Sequence, residues 1–386
     1  MSKLDELIAE LCPDGVEYKN LKEICGTITT GKLNANAMVE NGKYAFFTCD
    51  ATPFRIDSYA FDTEAILVSG NGSQVGHINY YKGKFNAYQR TYVLSNFNYT
   101  DVKYLLHYLK GYLRDYIMAH SKKGSVPYIT LPMLQNFKIP IPPLPVQNEI
   151  VRILDNFTEL TAELTAELTA RRKQYEYYRD LLLTFGDEVE WKTLGEIGKL
   201  IRGSGLLKSD FVEEGFPCIH YGQIHTYYGT SATETISFVS VDKSKKLKKA
   251  KKGDVLIAGV SENVEDVCKP LAWLGGDICI SGDMFAFRHN QNTKYITYLL
   301  QTTDFSRYKE KFAHGAKVTR LRQDKLLAYK IPVPPLEEQE RIVAILDRFD
   351  ALCNDLTSGI PAEIEARQKQ YEYYRDKLLS FKEVTA

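Results

Sequence analysis

The sequence predicts an α+β protein with two mixed α/β domains in a tandem pseudo-repeat, separated by two long antiparallel coiled-coil helices. Two observations lead to this fold class. A segment of nineteen residues recurs without a gap, and with twelve identities, 192 positions further along the chain. Each copy continues into residues whose apolar side chains have a helical spacing. The predicted domains are 1–145 and 186–336, and the predicted helices are 146–185 and 337–386.

The repeat unit consists of a divergent body and a well-matched tail. IPIPPLPVQNEIVRILDNF at 139–157 corresponds to IPVPPLEEQERIVAILDRF at 331–349, and KQYEYYRD at 173–180 occurs again at 369–376. The bodies share only an outline, in which short apolar runs such as AILVS and DVLIA precede glycine. Such runs predict strands that end in turns, so each body is predicted to be a mixed α/β domain.

Each tail predicts a long helix behind an extended lead-in. Proline disfavours helix at 139–145, but from Glu149 to Phe185 apolar residues follow at steps of three and four. A helix of these 37 residues would be about 55 Å long. Two such seams in one chain most simply bury each other as an antiparallel pair. In the second tail Pro361 predicts a kink near Thr357–Pro361.

The centre of the first tail is a four-residue repeat that predicts a spacer. It is flanked by further Thr, Glu and Leu residues and has no regular counterpart in the second tail. Adding one unit would lengthen a helix by about 6 Å. The predicted spacer residues are Thr161, Ala162, Glu163, Leu164, Thr165, Ala166, Glu167 and Leu168.

No catalytic, metal-binding or cofactor motif is legible in the sequence. The glycines at 70–76 are spaced one residue too widely for a dinucleotide loop, and no GxxxxGK phosphate loop occurs. Seven scattered cysteines without a CxxC pair predict reduced thiols. We therefore expect binding without catalysis and no metal on this chain. A coiled-coil scaffold that binds only proteins, or a nucleic-acid enzyme with an unrecognised active site, remain alternatives.

The ends and the hydropathy of the sequence predict a cytoplasmic protein without a membrane segment. The first ten residues, MSKLDELIAE, lack the charged start and apolar core of a secretory signal. No apolar run approaches the ~20 residues that a membrane-spanning helix needs.

Charge is distributed unevenly although the formal total is zero, with 49 basic and 49 acidic side chains. Residues 1–145 carry a net +2 and 186–336 a net +4, whereas 146–185 carry −2 and 337–386 carry −4. Both bodies are therefore basic and both tails acidic, which is typical of nucleic-acid contacts confined to the bodies.

Basic and amide side chains in the bodies are the candidate DNA contacts. Seven lysines in ten residues would bind phosphates without regard to sequence, although a solvated loop is the plain alternative. Arginine and glutamine can make paired contacts to guanine and adenine edges. The candidates are Gln89, Arg90, Lys122, Lys123, Arg202, Gln223, Lys243, Lys245, Lys246, Lys248, Lys249, Lys251, Lys252, Lys317, Arg320 and Arg322.

The repeated KQYEYYRD segment supplies candidate contacts to a protein partner. Tyr175, Tyr178, Tyr371 and Tyr374 fall on the predicted seam, so their neighbours face elsewhere. These neighbours are either docking residues or simply solvent-exposed. They are Glu176, Tyr177, Arg179, Glu372, Tyr373 and Arg375.

Two variable bodies, each followed by IPxPPLxxQ…IVxILDxF and KQYEYYRDxLL, with TAELTAELTA between them, resemble the specificity subunit of type I restriction–modification systems. The resemblance covers essentially the whole chain, but only the tails match in detail. It implies that each body is a target recognition domain for one half of a bipartite, asymmetric site in double-stranded DNA. The helical pair would set the spacer between the half-sites.

The same resemblance implies the partners and explains the missing motifs. Two modification (methyltransferase) subunits would dock on the helices and carry S-adenosylmethionine, and restriction subunits would add ATP- and Mg²⁺-dependent translocation and cleavage. This chain would hold no cofactor and would act in phage defence as a non-catalytic subunit.

Overall fold

The computed structural model describes residues 3–120, 127–315, 318–355 and 358–384, which form two compact units. The first unit is Met1–Glu163 together with Ile364–Ala386, and the second is Leu164–Glu363. Each unit thus contains one body and a part of each tail, and the four segment boundaries predicted above remain predictions. In the described part of the chain, no helix is both long and apolar enough to cross a bilayer.

The body of the first unit is built on one six-stranded mixed sheet. Its outer face is covered by the amphipathic helix Val102–His120, whose buried residues pack on strand residues such as Ile66 and Leu94. In spatial order the strands are Cys25–Thr30, Thr91–Phe97, Phe61–Ser69, Ile78–Ala87, Tyr44–Phe47 and Phe54–Ile56. A two-stranded sheet joins Glu17–Asn20 to Lys138–Ile141, and the remaining helices are Lys3–Leu11, Leu21–Ile24, the 3₁₀ turn Ala35–Ala37, and Leu131–Gln135.

The body of the second unit has two five-stranded sheets. The first runs Gly198–Arg202, Met284–His289, Val255–Ala258, Pro270–Trp273, Ser231–Ala232, and the second runs Phe211–Val212, Ser237–Val239, Phe216–Ile219, Ile278–Ile280, Lys249–Ala250. Two-stranded sheets pair Val260–Ser261 with Thr319–Arg320 and Trp191–Thr193 with Lys330–Pro332. The helices are Leu194–Ile197, the 3₁₀ turn Lys208–Asp210, Tyr221–Thr226, Val241–Ser244, Thr293–Leu299, Thr303–Phe312 and Gln323–Leu327.

Strand register shows that the two bodies are copies of one fold. In the first body Tyr92 faces Thr30 on one neighbouring strand and Val68 on the other. In the second body Phe285 faces Arg202 and Ile257 in the same arrangement. The mixed α/β pseudo-repeat predicted from the sequence is therefore confirmed, and residues of the two bodies can be matched by register.

The first tail is one continuous helix of 39 residues, Leu144–Leu182. It begins two residues before the predicted segment 146–185 and five before Glu149, where the helical spacing starts, so the prediction of an extended lead-in up to Pro145 was wrong at its end. Proline is tolerated in the first turn because its missing N–H would have no helical partner there. The extended part of the lead-in is the strand Lys138–Ile141.

The second tail is interrupted, as Leu336–Asn354 and Ile360–Leu378 are separate helices. The predicted kink is thus a complete break, although Thr357 lies outside the described residues. Gly359 sits in the break where a Cβ atom would be 2.6 Å from the carbonyl oxygen of Ala351, which leaves no room for a side chain. Pro361 is the second residue of the new helix, where it breaks no hydrogen bond.

Within the second unit the tail helices pack antiparallel. The rings of Tyr178 and Phe349 stack at 5.8 Å, and Arg172 Nη2 donates to the carbonyl of Cys353 at 3.5 Å. Arg172 precedes Tyr178 in the first helix, whereas its partner Cys353 follows Phe349 in the second, so the two helices run in opposite directions. In the first unit Phe157 stacks on Tyr374 at 5.2 Å. Of the four predicted seam tyrosines, Tyr175 and Tyr371 are buried, whereas Tyr178 and Tyr374 are 37% and 39% exposed.

A fully buried glutamine joins each body to its following helix. Gln147 donates to the carbonyls of Pro142 and Tyr99 and accepts from the N–H of Asp101 at 2.8 Å. Its repeat counterpart Gln339 donates to the carbonyl of Pro334 and accepts from the N–H of Asn292 at 3.0 Å. These bonds give a structural reason for glutamine at this position in both tails.

A buried polar network also fastens the first tail, with a different version in the second unit. His107 lies 3.0 Å from Asp155 Oδ1 through Nε2 and 3.0 Å from Tyr371 Oη through Nδ1. In the second unit Tyr298 replaces the histidine and donates to Asp347 at 2.7 Å. Tyr175, the counterpart of Tyr371, has a buried hydroxyl with no hydrogen-bond partner among the described residues.

Candidate nucleic-acid interface

A basic cleft of about 310 Å³ opens in the second body where several strand ends meet. Val260 pairs with Arg320 in a two-stranded sheet, and the N–H of Gly259 donates to the carbonyl of Asp283 at 2.8 Å. These backbone contacts bring together segments that are about sixty residues apart in the first case and over twenty in the second. The lining residues are Arg202, Gly259, Val260, Gly282, Asp283, Phe285, Arg320, Leu321, Arg322 and Gln323.

The three arginines of this cleft keep much of their guanidinium surface open. Arg202 Nε donates to the carbonyl of Gly282 at 3.1 Å, and Arg322 Nε to Asp324 at 2.9 Å. Arg320 Nη2 lies 4.0 Å from Asp283 Oδ1, with side chains that are 64% and 40% exposed. The sequence-predicted residues Arg202, Arg320 and Arg322 are therefore assembled at one site.

The first body has a corresponding place with different chemistry. The N–H of Gly70 donates to the carbonyl of Arg90 at 2.8 Å, as Gly259 does to Asp283. Asn71 pairs with Tyr128 in an isolated bridge that matches Val260 with Arg320. The positions of Asp283 and Arg320 in the second body are thus taken by Arg90 and Tyr128 in the first.

The predicted contacts Gln89 and Arg90 lie on the rim of this first-body site. Both are exposed, and Gln89 Nε2 donates to Asn34 Oδ1 at 2.8 Å. Cys49 Sγ donates to Asn71 Oδ1 at 3.1 Å from a third segment. An amide, a guanidinium and the exposed Tyr128 ring thus lie on converging loops.

The lysine-rich segment is ordered rather than a plain loop, and it adjoins the second-body cleft. The N–H of Lys248 donates to Ser204 Oγ at 2.8 Å, two residues beyond Arg202. Lys243 pairs with Asp210 at 3.0 Å and Lys245 with Asp242 at 2.9 Å, while Lys249 lies over the Phe216 ring. The exposed members are Lys245, Lys246, Lys248, Lys251 and Lys252.

Of the remaining predicted DNA contacts the structure describes only Gln223, which does not line the cleft. Gln223 is half-buried and its side chain is engaged, because Oε1 accepts from the N–H of His220 and Nε2 donates to Ser237. That pattern is helix capping and leaves little of the amide for a base. Lys122, Lys123 and Lys317 lie outside the described residues.

The tail residues divide into an exposed and a buried set. Tyr177 and Tyr373 are 64% and 62% exposed, and Glu176 and Glu372 are also exposed. Arg179, in contrast, is buried beside the Tyr175 ring and bonds Asp180.

Arg375 occupies the matching place in the first unit. It bonds Asp376 and lies over the rings of Tyr112 and Tyr371. Arg179 thus contacts its own helix, and Arg375 contacts both its own helix and the helix Val102–His120.

The predicted spacer residues 161–168 lie inside the continuous first helix. Leu164 and Leu168 are partly buried, whereas Ala162, Glu163 and residues 165–167 are exposed. The division between the two units falls at Glu163–Leu164, within this repeat.

The described residues contain no candidate metal centre. No three His, Cys, Asp or Glu side chains among them are grouped to hold a metal ion. Burial raises the pKa of Cys25, Cys218 and Cys268 to about 12, so these thiols stay protonated and unreactive.

Asp283, Asn71 and Tyr128 were missed by the sequence analysis. An acidic residue is not a usual DNA contact, and a single asparagine or tyrosine carries no pattern. The repeat offset could have found Tyr128, because it lies 192 residues before Arg320.

Comparisons with known proteins agree with the two-copy architecture. A family model described as the type I restriction modification DNA specificity domain matches residues 13–171 and again 186–366. The EcoR124I/EcoR124II specificity subunit from Escherichia coli is 42% identical over 258 residues, which are 63% of each chain. A putative type I restriction enzyme specificity subunit from Haemophilus influenzae is 31% identical over 382 residues, covering 95% of this chain and 96% of that one.

Solved structures share the fold at low sequence identity. The S subunit of a type I restriction–modification system from M. genitalium matches with a TM-score of 0.55 and 18% identity over 96% of this chain and 98% of its own. A chain from a structural study of complex assembly and conformational transition in the type I R-M system matches with a TM-score of 0.58 and 19% identity, over the same shares.

Proposed function

This chain belongs to the type I restriction–modification DNA specificity family, and from this premise we propose which of its residues perform the recognition. It is a non-catalytic specificity subunit, and its two bodies read the two halves of a bipartite asymmetric DNA site. The observation that supports our residue assignment is the polar site found at the same register position in both bodies, with different side chains. One fold with two chemistries suits two half-sites of different sequence.

Recognition in this proposal combines base contacts in the cleft with phosphate contacts around it. Arg202, Arg320 and Arg322 in the second body, and Gln89 and Arg90 in the first, contact base edges. The exposed lysines of the Lys243–Lys252 segment bind phosphates of the DNA backbone next to the cleft of the second body. A scaffold that binds only proteins would have no use for two basic sites in corresponding places.

The tails bind the partners and set the distance between half-sites. Tyr177 and Tyr373 are large aromatic side chains that are exposed to solvent in the isolated chain. Because they occupy equivalent positions in the two tails, they are suited to contact two identical modification subunits. Those subunits carry S-adenosylmethionine, and restriction subunits supply ATP- and Mg²⁺-dependent steps. The assembly works in the cytoplasm, where its DNA is.

Changing the number of Thr-Ala-Glu-Leu units tests the proposal. Each unit of four residues changes helix length by about 6 Å, close to two base-pair steps of ~3.4 Å. We expect an inserted unit at 165–168 to lengthen the unread spacer while both half-sites keep their sequence. Methylation mapping of DNA modified by the reconstituted complex measures both. An altered half-site with unchanged spacing would refute the assignment.

A further inference from the structure

The pair formed by Arg320 and Asp283 has no counterpart in the first body and is not explained by phosphate binding. Resting on the function proposed above, we propose that this pair reads one G·C base pair in the major groove, with Arg320 on the guanine and Asp283 on the cytosine. It would then be the element that makes the second half-site differ from the first.

Backbone contacts hold the two side chains next to each other. Arg320 lies on a strand paired with Val260, and the preceding residue Gly259 donates its N–H to the carbonyl of Asp283. A Cβ atom at Gly259 would come within 2.8 Å of the Phe285 ring and 3.1 Å of the backbone carbonyl oxygen of Asp283. The close packing of residue 259 against Asp283 therefore depends on glycine. The guanidinium and the carboxylate are 4.0 Å apart at their nearest atoms.

The pair is open enough to bind a base edge. At 4.0 Å the two groups attract each other without a direct hydrogen bond, and both side chains are partly exposed. Donors of Arg320 and acceptors of Asp283 are therefore available to a ligand that offers acceptors next to donors.

The major-groove edge of a G·C pair has this pattern. Guanine presents the acceptors N7 and O6, and the adjacent cytosine presents the donor N4. Arginine can bond both guanine acceptors while a carboxylate accepts from N4. In an A·T pair the carboxylate would face the O4 acceptor and the methyl group of thymine, which disfavours binding.

The carboxylate also decides between base and phosphate. A phosphate contact would be weakened by a negative charge 4.0 Å from the arginine, whereas a G·C edge is satisfied by both charges. In the first body the matching positions are Arg90 and Tyr128, which cannot form this donor–acceptor pair.

Substitutions in the complete complex with its modification subunits test the inference. In Arg320→Ala and in Asp283→Ala we expect loss of discrimination at the same G·C position of the second half-site, by about tenfold. The double substitution Arg320→Gln and Asp283→Ala should shift this position towards A·T, since glutamine pairs with adenine and the carboxylate that would face thymine O4 is removed. Arg307→Ala removes an exposed charge elsewhere in the same body and should leave the motif unchanged.

Methylation rates on substrate libraries with every base at each position are the readout. Relaxation at an A·T position, or slower methylation of all sequences with an unchanged motif, would overturn the G·C assignment while leaving the proposed function intact. Changes in both half-sites from a single second-body substitution would instead contradict the proposed function. Melting of each complex, and retained methylation with an unchanged first half-site, show that the variant is folded.

Discussion

Removing one hydroxyl group from each of two repeat-related tyrosines should have opposite effects. Tyr371 Oη lies 3.0 Å from His107 Nδ1, and both residues are buried at 8% and 5% exposure. Tyr175, 196 positions earlier in the matching KQYEYYRD segment, is equally buried at 6%, but its hydroxyl has no partner among the described residues. The substitutions are Tyr371→Phe and Tyr175→Phe.

The magnitudes follow from the hydrogen bonds. Tyr371→Phe leaves a buried ring nitrogen of His107 unpaired, which should cost about 1–2 kcal/mol. Tyr175→Phe removes a hydroxyl that is desolvated without compensation, so it should be neutral or stabilise by up to ~1 kcal/mol. For units of this size each kcal/mol moves the melting temperature by about 2–4 °C.

Calorimetry of the chain in complex, together with hydrogen exchange, measures the difference. We expect Tyr371→Phe to lower the transition of the first unit and to accelerate exchange in Val102–His120, which carries His107. Exchange in Thr293–Leu299 should be unchanged or slower in Tyr175→Phe. Equal destabilisation by both substitutions would refute the reasoning. Since the two rings are similarly buried, it would mean that the hydrogen bond to His107 makes no difference.

Two further predictions concern acid stability and phosphate binding. Burial lowers the pKa of His289 to about 4, so the unfolded chain takes up this proton first as the pH falls below ~6.5. The stabilisation that depends on the neutral ring is therefore complete above pH 6.5 and is lost as the pH falls towards 4. Between these pH values the melting temperature of the second unit should fall less in His289→Gln than in the unsubstituted chain. An identical fall in both would exclude His289 as the cause. The second prediction concerns exposed lysines of the Lys243–Lys252 segment that form no ion pair with the described residues. Their substitution by glutamine should weaken DNA retention by the complex. The slope of log binding constant against log salt concentration should become shallower by up to about 0.9 for each phosphate that is no longer neutralised. The test set is Lys246, Lys248, Lys251 and Lys252, and the control set is Lys243 and Lys245, which pair with Asp210 and Asp242. Substitution of the control set should have a smaller effect on DNA retention. Equal effects of the two sets would argue against the phosphate role.

The repeat and the helical tails could be predicted from the sequence because both are local patterns. Twelve identities over nineteen aligned positions identify two copies, and a spacing of three and four residues identifies one helical face. The start of the first helix at Leu144 was missed because proline was treated only as a helix breaker, although it fits the first turn.

The candidate site could be predicted only in part because it forms through non-local strand pairing. Arg202, Arg320 and Arg322 were chosen for their chemistry, but nothing in the sequence places them beside one another. The register that brings Arg320 to Val260 and Asp283 to Gly259 depends on contacts across about sixty residues in one case and over twenty in the other. The burial of Arg179 could not be predicted for a related reason, since this side chain lines a cavity together with Tyr228 and Gln301 of the body.

The glutamine joint between body and tail has a consequence for how such proteins diversify. Gln147 bonds three backbone groups, in Pro142, Tyr99 and Asp101, and Gln339 bonds the backbone of Pro334 and Asn292. Because most of these partners are main-chain atoms, the joint accepts almost any body sequence that keeps the local backbone path. We therefore expect a body exchanged at this point to keep the glutamine joint, while side-chain contacts such as that between His107 and Asp155 would have to be matched anew.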